Sequence, residues 1–393
     1  VNLPAGFLAA GVRAGIRKKR PDVALIVAET GANAAALFTK NRFQAAPVVL
    51  SKRDLVRSGG RVRAVVVNAG CANAVTGAEG MAAARRVRDR AASLLSCRKE
   101  EVFVSSTGVI GVVLPDAKVR AALPAAVHRL SRSGVAAASH AILTTDVGPK
   151  VAQASFRLGG RRGRIVGMAK GAGMIHPDMA TMLAYVMTDV TATPGYLKAA
   201  LREAADASFH AISVDGDTST NDTVLLLASG RLGGETLRSP GEGAAFRKAL
   251  TEVCRQLAWM MVRDGEGATR VMEITVTGAR SGREARAAAH AVATSPLVKT
   301  ALHGGDPNWG RILAAVGRSG ARLAEAKVSL YAGGLALVKD GRGTAYREKD
   351  AVRIFRKERV PIRVDLGVGR ASASKLASDF GHDYISINTD YRS

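Results

Sequence analysis

Along the first third of the chain, short apolar runs alternate with glycine, asparagine or charged residues. Residues 24–28, 34–39, 47–50 and 63–68 each have strand length and are separated by turn chemistry, so a sheet-rich start is expected. Between residues 79 and 95, Val87, Ala91, Leu94 and Leu95 recur at helical spacing with arginines on the other side, which predicts a helix laid over that sheet. Residues 102–111, Val-Phe-Val-Ser-Ser-Thr-Gly-Val-Ile-Gly, read as a strand emptying into a turn of hydroxyls and glycine. Helices are expected at 116–130, 134–143, 194–211, 243–261 and, alanine-rich, 281–302. A hairpin is expected from 150–157 and 163–168 around Gly159-Gly160-Arg161-Arg162, and further strands at 224–228, 271–277, 328–331, 336–339 and 362–366. Neighbouring strands followed by later helices, with no regular strand–helix–strand repeat, point to an α+β fold.

At 393 residues the chain exceeds the usual size of one core, so two domains or two packed lobes are expected. A formal net charge of +24 raises nucleic-acid binding as a reading. Its distribution argues otherwise: basic residues are spread over 13–20, 85–90, 161–164 and 353–357, and aromatics, at 4%, are sparse for stacking on bases. Cys71, Cys97 and Cys254 form no disulfide framework or metal-like pair, and no apolar run has membrane-spanning length. With no secretory signal layout near Val1, a cytoplasmic setting is expected, without nucleic acid or membrane as partner.

The candidate chemistry gathers in Lys170-Gly-Ala-Gly-Met-Ile-His-Pro-Asp-Met-Ala-Thr-Met-Leu183. Gly171 and Gly173 open backbone geometries closed to other residues, and Pro177 turns His176 away from helix, so a tight loop should lead into an apolar strand over 181–187. Thr181 stands at that junction, as a strand-start residue or as a nucleophile. A second polar stretch, Ser213 to Thr223, places Asp215, Asp217, Ser219 and Asn221 like the first positions of a calcium loop. Thr220 at position six and Leu226 at position twelve defeat that reading, so no metal and no catalytic role is assigned there.

The segment KGAGMIHPDMATML resembles the self-cleavage motif of the ornithine acetyltransferase family, also called the glutamate N-acetyltransferase or arginine-biosynthesis bifunctional family. The resemblance runs from Gly6-Phe7-Leu8-Ala9-Ala10-Gly11 to the C-terminal tail. It implies an αββα sandwich-type core with a second α/β lobe, and a break between Ala180 and Thr181. Residues 1–180 would form an N-terminal chain with the oxyanion loop, and 181–393 a C-terminal chain beginning at the nucleophile. A freed threonine supplies its own base, because its α-amino group, with a reference pKa of about 7.7–8.0, can take the hydroxyl proton.

By the same resemblance, Thr107 and Gly108 form the oxyanion hole, while Thr144, Lys170, Thr181, Glu266, Asn388 and Ser393 contact substrate. The tail, ending Thr-Asp-Tyr-Arg-Ser, departs from a family pattern of two terminal hydroxyls, although Ser393 keeps one. The loop His303 to Arg311 also matches the family and is read as structural or substrate-gating. The implied reaction moves the acetyl group of N2-acetylornithine to glutamate through acetyl-threonine, in an assembly of both cleaved chains that is a heterotetramer or larger. No cofactor is implied; acetyl-CoA is open as a second acetyl donor. The rival readings are a threonine-nucleophile amidase or peptidase that passes its acyl group to water, and a nonenzymatic polyanion binder.

Overall fold

A computed structural model describes residues 1–176 and 182–390. Among the described residues the chain packs as two units, one made of Val1–His210 and Asp217–Met261, the other of Ala211–Gly216 and 262–390. Each is built on one mixed sheet with helices against it, in keeping with the α+β expectation. These units follow packing, whereas the expected break at Thr181 concerns the covalent chain.

In the first unit the strand order is Val102–Val109, Arg61–Cys71, Val23–Phe38, Thr223–Ala228, Leu183–Thr188, Arg161–Lys170 and Lys150–Leu158, with Phe7–Val12 also paired to Val23–Phe38. Two pairs are parallel, Arg61–Cys71 with Val102–Val109 and Leu183–Thr188 with Thr223–Ala228. Successive side chains point to opposite faces, so adjacent residues divide between two cores. Leu25, Val66 and Val104 join the helices Ala46–Arg57, Gly77–Leu94 and Asp116–His128 on one side. Ile26, Val65, Tyr185 and Leu225 join Val135–Ala141 on the other. The second unit orders its strands Arg342–Gly343, Leu335–Lys339, Ser329–Ala332, Arg359–Asp365, Val271–Ala279, Ala371–Ser378 and Ile212–Ser213. Its core includes Ile274, Val276, Val292 and Val364.

Several expectations need correction. Residues 47–50 begin the helix Ala46–Arg57, where Pro47 is suited to the first turn because its missing N–H has no helical partner there. The alanine-rich stretch is two helices, Gly282–Ala293 and Pro296–Gly304, because Ser295 caps the second and Pro296 cannot continue the first. Arg88 is buried, not on a solvated face: it meets Asp54 at 2.7 Å and Asp89 at 2.7 Å. The three cysteines are free. Among the described residues no helix is long and apolar enough to cross a membrane.

Candidate active site

The parallel pair Arg61–Cys71 and Val102–Val109 sets Ala69 opposite Thr107 and Gly70 opposite Gly108. Thr107 is buried. Gly108 has φ +131°, and a Cβ there would lie 2.3 Å from the carbonyl carbon of Gly70 and 2.5 Å from the Cys71 nitrogen. Only glycine fits, so the small-residue segment 68–73 and the hydroxyl–glycine turn meet in one close backbone contact.

At the far end of Arg161–Lys170, the buried Lys170 ammonium donates to the Thr144 hydroxyl at 2.7 Å. These two predicted substrate residues are therefore joined directly. Asp146, which the sequence reading passed over, organises them. Its carboxylate accepts from Lys150 Nζ at 2.7 Å, from Gly171 N at 2.7 Å and from Thr144 N at 3.0 Å, and stands 3.7 Å from Lys170 Nζ. Burial alone would raise its pKa. The Lys170 and Lys150 ammoniums overcome that, and together with the hydrogen bonds from Lys150 and the Thr144 amide they hold the carboxyl well below the usual carboxylate range. Arg17 fixes the same segment from outside by donating to the carbonyls of Leu143 and Thr144. The available signal was a lone carboxylate in a hydroxyl-rich segment shortly before a lysine, which is too common to single out.

Strand register extends this end of the sheet. Lys170 pairs with Leu183, and Leu183 with Thr223. Lys170, the start of Leu183–Thr188 and the loop ahead of Thr223 therefore share one end of the sheet. That loop is the polar stretch to which the sequence assigned no metal and no catalytic role; Ser219, Thr220, Asn221 and Asp222 are all buried. Ala180, Thr181 and Ser393 lie outside the described residues.

In the second unit, Glu266 is half-buried in the turn after the helix Ala244–Arg263. Asn388, on the helix His382–Asp390, donates its Nδ2 to Glu266 Oε2 at 2.8 Å and to Tyr384 O at 2.9 Å. Two predicted substrate residues 122 apart in the chain thus meet. Their approach is close: a Cβ on Gly267, φ +69°, would fall 2.5 Å from Tyr384 N. His303 Nδ1 lies 2.8 Å from Asp379 Oδ2, and Asp379 also accepts from the amide and hydroxyl of Thr269. The histidine thus shares Asp379 with the turn at Thr269. Among the described residues no group of three or more His, Cys, Asp and Glu side chains is arranged to hold a metal.

An ammonium and a hydroxyl held together beside a buried carboxylate can bind an acidic or carbonyl-bearing small molecule. The sequence pattern of the ArgJ family matches residues 8–393. The chain belongs to the ArgJ family. It is 47% identical to the arginine biosynthesis bifunctional protein of Nitratidesulfovibrio vulgaris, over 99% of each chain. It is 45% identical to the protein of the same name from Chlorobaculum tepidum, over 99% of this chain and 96% of that one. The crystal structure of an arginine biosynthesis bifunctional protein from Bacillus halodurans matches with a TM-score of 0.51 at 39% identity, covering 53% of this chain and 98% of that chain. As an ArgJ protein the chain is an acyltransferase of arginine biosynthesis that carries out acetyl transfer. That membership sets aside the polyanion-binding reading.

Proposed function

We propose that the chain cuts itself before Thr181 and then transfers acetyl from N2-acetylornithine to glutamate. Thr181 Oγ attacks the Ala180 carbonyl, the peptide C–N bond breaks, and the hydroxyl proton passes to the departing nitrogen. Water hydrolyses the resulting ester, which frees the Thr181 amine and hydroxyl. In each turnover that amine takes the hydroxyl proton as Oγ attacks the acetyl carbonyl, and the proton then leaves on the amine of ornithine. Glutamate's amine attacks the acetyl-threonine ester, the acyl C–Oγ bond breaks, and the proton lost by the attacking amine returns through the Thr181 α-amino group to Oγ, so N-acetylglutamate leaves and the free threonine is restored. Thr107 and Gly108 donate to the oxyanion in both stages, where one preorganised donor contributes roughly 3–4 kcal/mol. Lys170, Thr144, Glu266, Asn388 and Ser393 are substrate contacts, with Glu266 for the amino group of ornithine.

The observation that carries this reading is the coupled Lys170–Thr144–Asp146 group at the end of the sheet from which Leu183–Thr188 departs. The Bacillus halodurans chain lends support: it is matched over 98% of its length by 53% of this one, the proportion a single product of such a cut would give. The relatives' description as bifunctional supports acetyl-CoA as a second donor for glutamate. The cleaved chains pair and assemble as a heterotetramer or larger in the cytoplasm, a setting in keeping with free cysteines.

Intact mass and N-terminal sequencing test the first stage. Fragments of residues 1–180 and 181–393, the second starting Thr-Met-Leu, are expected from the wild type and a single uncut chain from Thr181→Ala. Ornithine release from N2-acetylornithine should depend on glutamate; release to water at the same rate without glutamate would overturn the transfer in favour of an amidase. Incubation with acetyl-CoA and glutamate separates the one-donor from the two-donor enzyme.

A further inference from the structure

The polar loop ahead of Thr223–Ala228 joins the two parts of the site, and the reaction steps leave it without a role. Asn221 and Asp222 are 5% and 1% exposed. The Asn221 Nδ2 group uses both of its protons, donating to Ala72 O at 2.8 Å and to Ser106 O at 2.8 Å. It thereby spans the ends of the parallel strand pair that carries the oxyanion turn. Ser106 C=O and Thr107 N–H belong to one rigid peptide plane, so fixing the carbonyl fixes the direction of the amide. The Asn221 Oδ1 is held in turn by the Thr220 hydroxyl at 2.6 Å, which leaves the side-chain amide one orientation.

The next residue faces the other way. Asp222 Oδ1 accepts from Met182 N at 3.0 Å, and Thr223 N donates to Met182 O at 3.0 Å, so Met182 is held on both of its backbone polar groups. Met182 is the residue immediately after Thr181. The loop itself is anchored by Thr39 N on Asp222 O, by the Thr39 hydroxyl on Ser219 O at 2.6 Å, and by Ala45 N on Thr220 O. The hydroxyl proton of Thr39 is thus committed, and Asp222 Oδ2 has no hydrogen-bond partner among the described residues. A carboxyl so placed is costly in its charged form. Burial raises its pKa well above the usual range, against the Met182 amide, the nearby Thr39 hydroxyl and the Lys170 charge.

We infer that Asn221 and Asp222 are positioning residues that lock the oxyanion turn at Thr107 to the backbone immediately after Thr181, setting the distance between nucleophile and oxyanion donors. The inference rests on the proposed function. It separates from a general packing role because misalignment lowers the rate of bond making while leaving the substrate contacts at Lys170 and Thr144 in place. A displacement on the order of an ångström costs about 100-fold in rate.

The test measures self-cleavage half-time by intact mass, and kcat and KM for acetyl transfer, in Asn221→Asp, Asp222→Ala and Asp222→Asn. Asn221→Asp turns both donors into an oxygen facing two carbonyls; its kcat should fall by about 100-fold and its self-cleavage should slow in parallel, with KM for each substrate changed less than about threefold. Asp222→Ala should act likewise. Asp222→Asn, which keeps an acceptor for Met182 N–H, should restore most of the loss. Asn221→Ser, with one donor where two are used, replaces Asn221→Asp if that protein does not fold. Wild-type kcat and cleavage in folded Asn221 variants, or variants that lose only thermal stability while the folded fraction keeps full kcat, would overturn the inference alone. An uncut, inactive wild type would overturn the functional reading and this inference with it.

Discussion

Replacing Asp146 with asparagine tests how the donor-substrate residues are held. The wild-type side chain has no exposure, and Lys150 and Lys170 beside it have side-chain exposures of 2% and 3%. Asparagine fits the space but takes away the carboxylate that faces both ammoniums. It also turns one oxygen that accepts from Thr144 N or from Lys150 into an NH2 donor set against another donor. Removing one partner from a buried charge pair costs about 3–5 kcal/mol, a large part of the roughly 5–15 kcal/mol by which domains are stable. The measurement is urea unfolding with Asp146→Asn placed in the Thr181→Ala background, where the chain is expected to stay in one piece. The pH dependence has a definite sign. Because the folded pKa is depressed, the stabilisation is complete above the unfolded value of about 3.9 and is lost as pH falls from there through the lower folded value. The gap between the two proteins should therefore be constant from about pH 5 to 8 and should shrink below about pH 4. A gap under about 1 kcal/mol at pH 7, or one that acid leaves unchanged, would refute the assignment of Asp146 as the charged hub. In the cleaved enzyme the same change should raise KM for N2-acetylornithine more than it lowers kcat.

Three further outcomes are expected. Gly108→Ala forces a Cβ to 2.3 Å from the Gly70 backbone at a φ of +131°, so it should cost about 3 kcal/mol or more and lower the thermal midpoint; a midpoint equal to wild type would contradict the close contact. Asn388→Ala frees Glu266 Oε2 from its 2.8 Å partner and should weaken ornithine binding by about tenfold, near 1.4 kcal/mol, as read by product inhibition; unchanged inhibition would remove the pair from the substrate site. Lys299 is fully buried, and burial pulls its pKa down to about 8 against the opposing charges of Asp379 and Asp215. The unfolded lysine, near 10.4, binds the proton more tightly, so stability should rise with pH between about 8 and 10. Unfolding midpoints at pH 8 and 9.5 should show that rise in the wild type and lose it in Lys299→Met; an equal rise in both would discount the lysine.

The sequence by itself determined the elements whose signals are local. The continuous apolar runs at residues 24–28 and 63–68, the helical spacing around Val87 and Ala91, and the Gly159-Gly160 turn all have causes within a few residues, and all appear where expected. The long motifs around Lys170, Thr107 and Glu266 were equally legible and pointed to the ArgJ family without any coordinates. Local signals misled where two effects compete: the apolar run 47–50 reads as a strand until Pro47 falls in a first helical turn, and Pro296 is lost in an alanine-rich run until Ser295 caps the helix Pro296–Gly304. Only the tertiary structure decided which polar groups are buried. Asp146, Asn221 and Asp222 have the same local character as solvated loop residues, and each has a deciding partner far along the chain: Gly171 for Asp146, Ala72 for Asn221 and Met182 for Asp222, 25, 149 and 40 positions away. Burial and long-range hydrogen bonding are properties of the packed end of the sheet, so no window of sequence around those residues contains them.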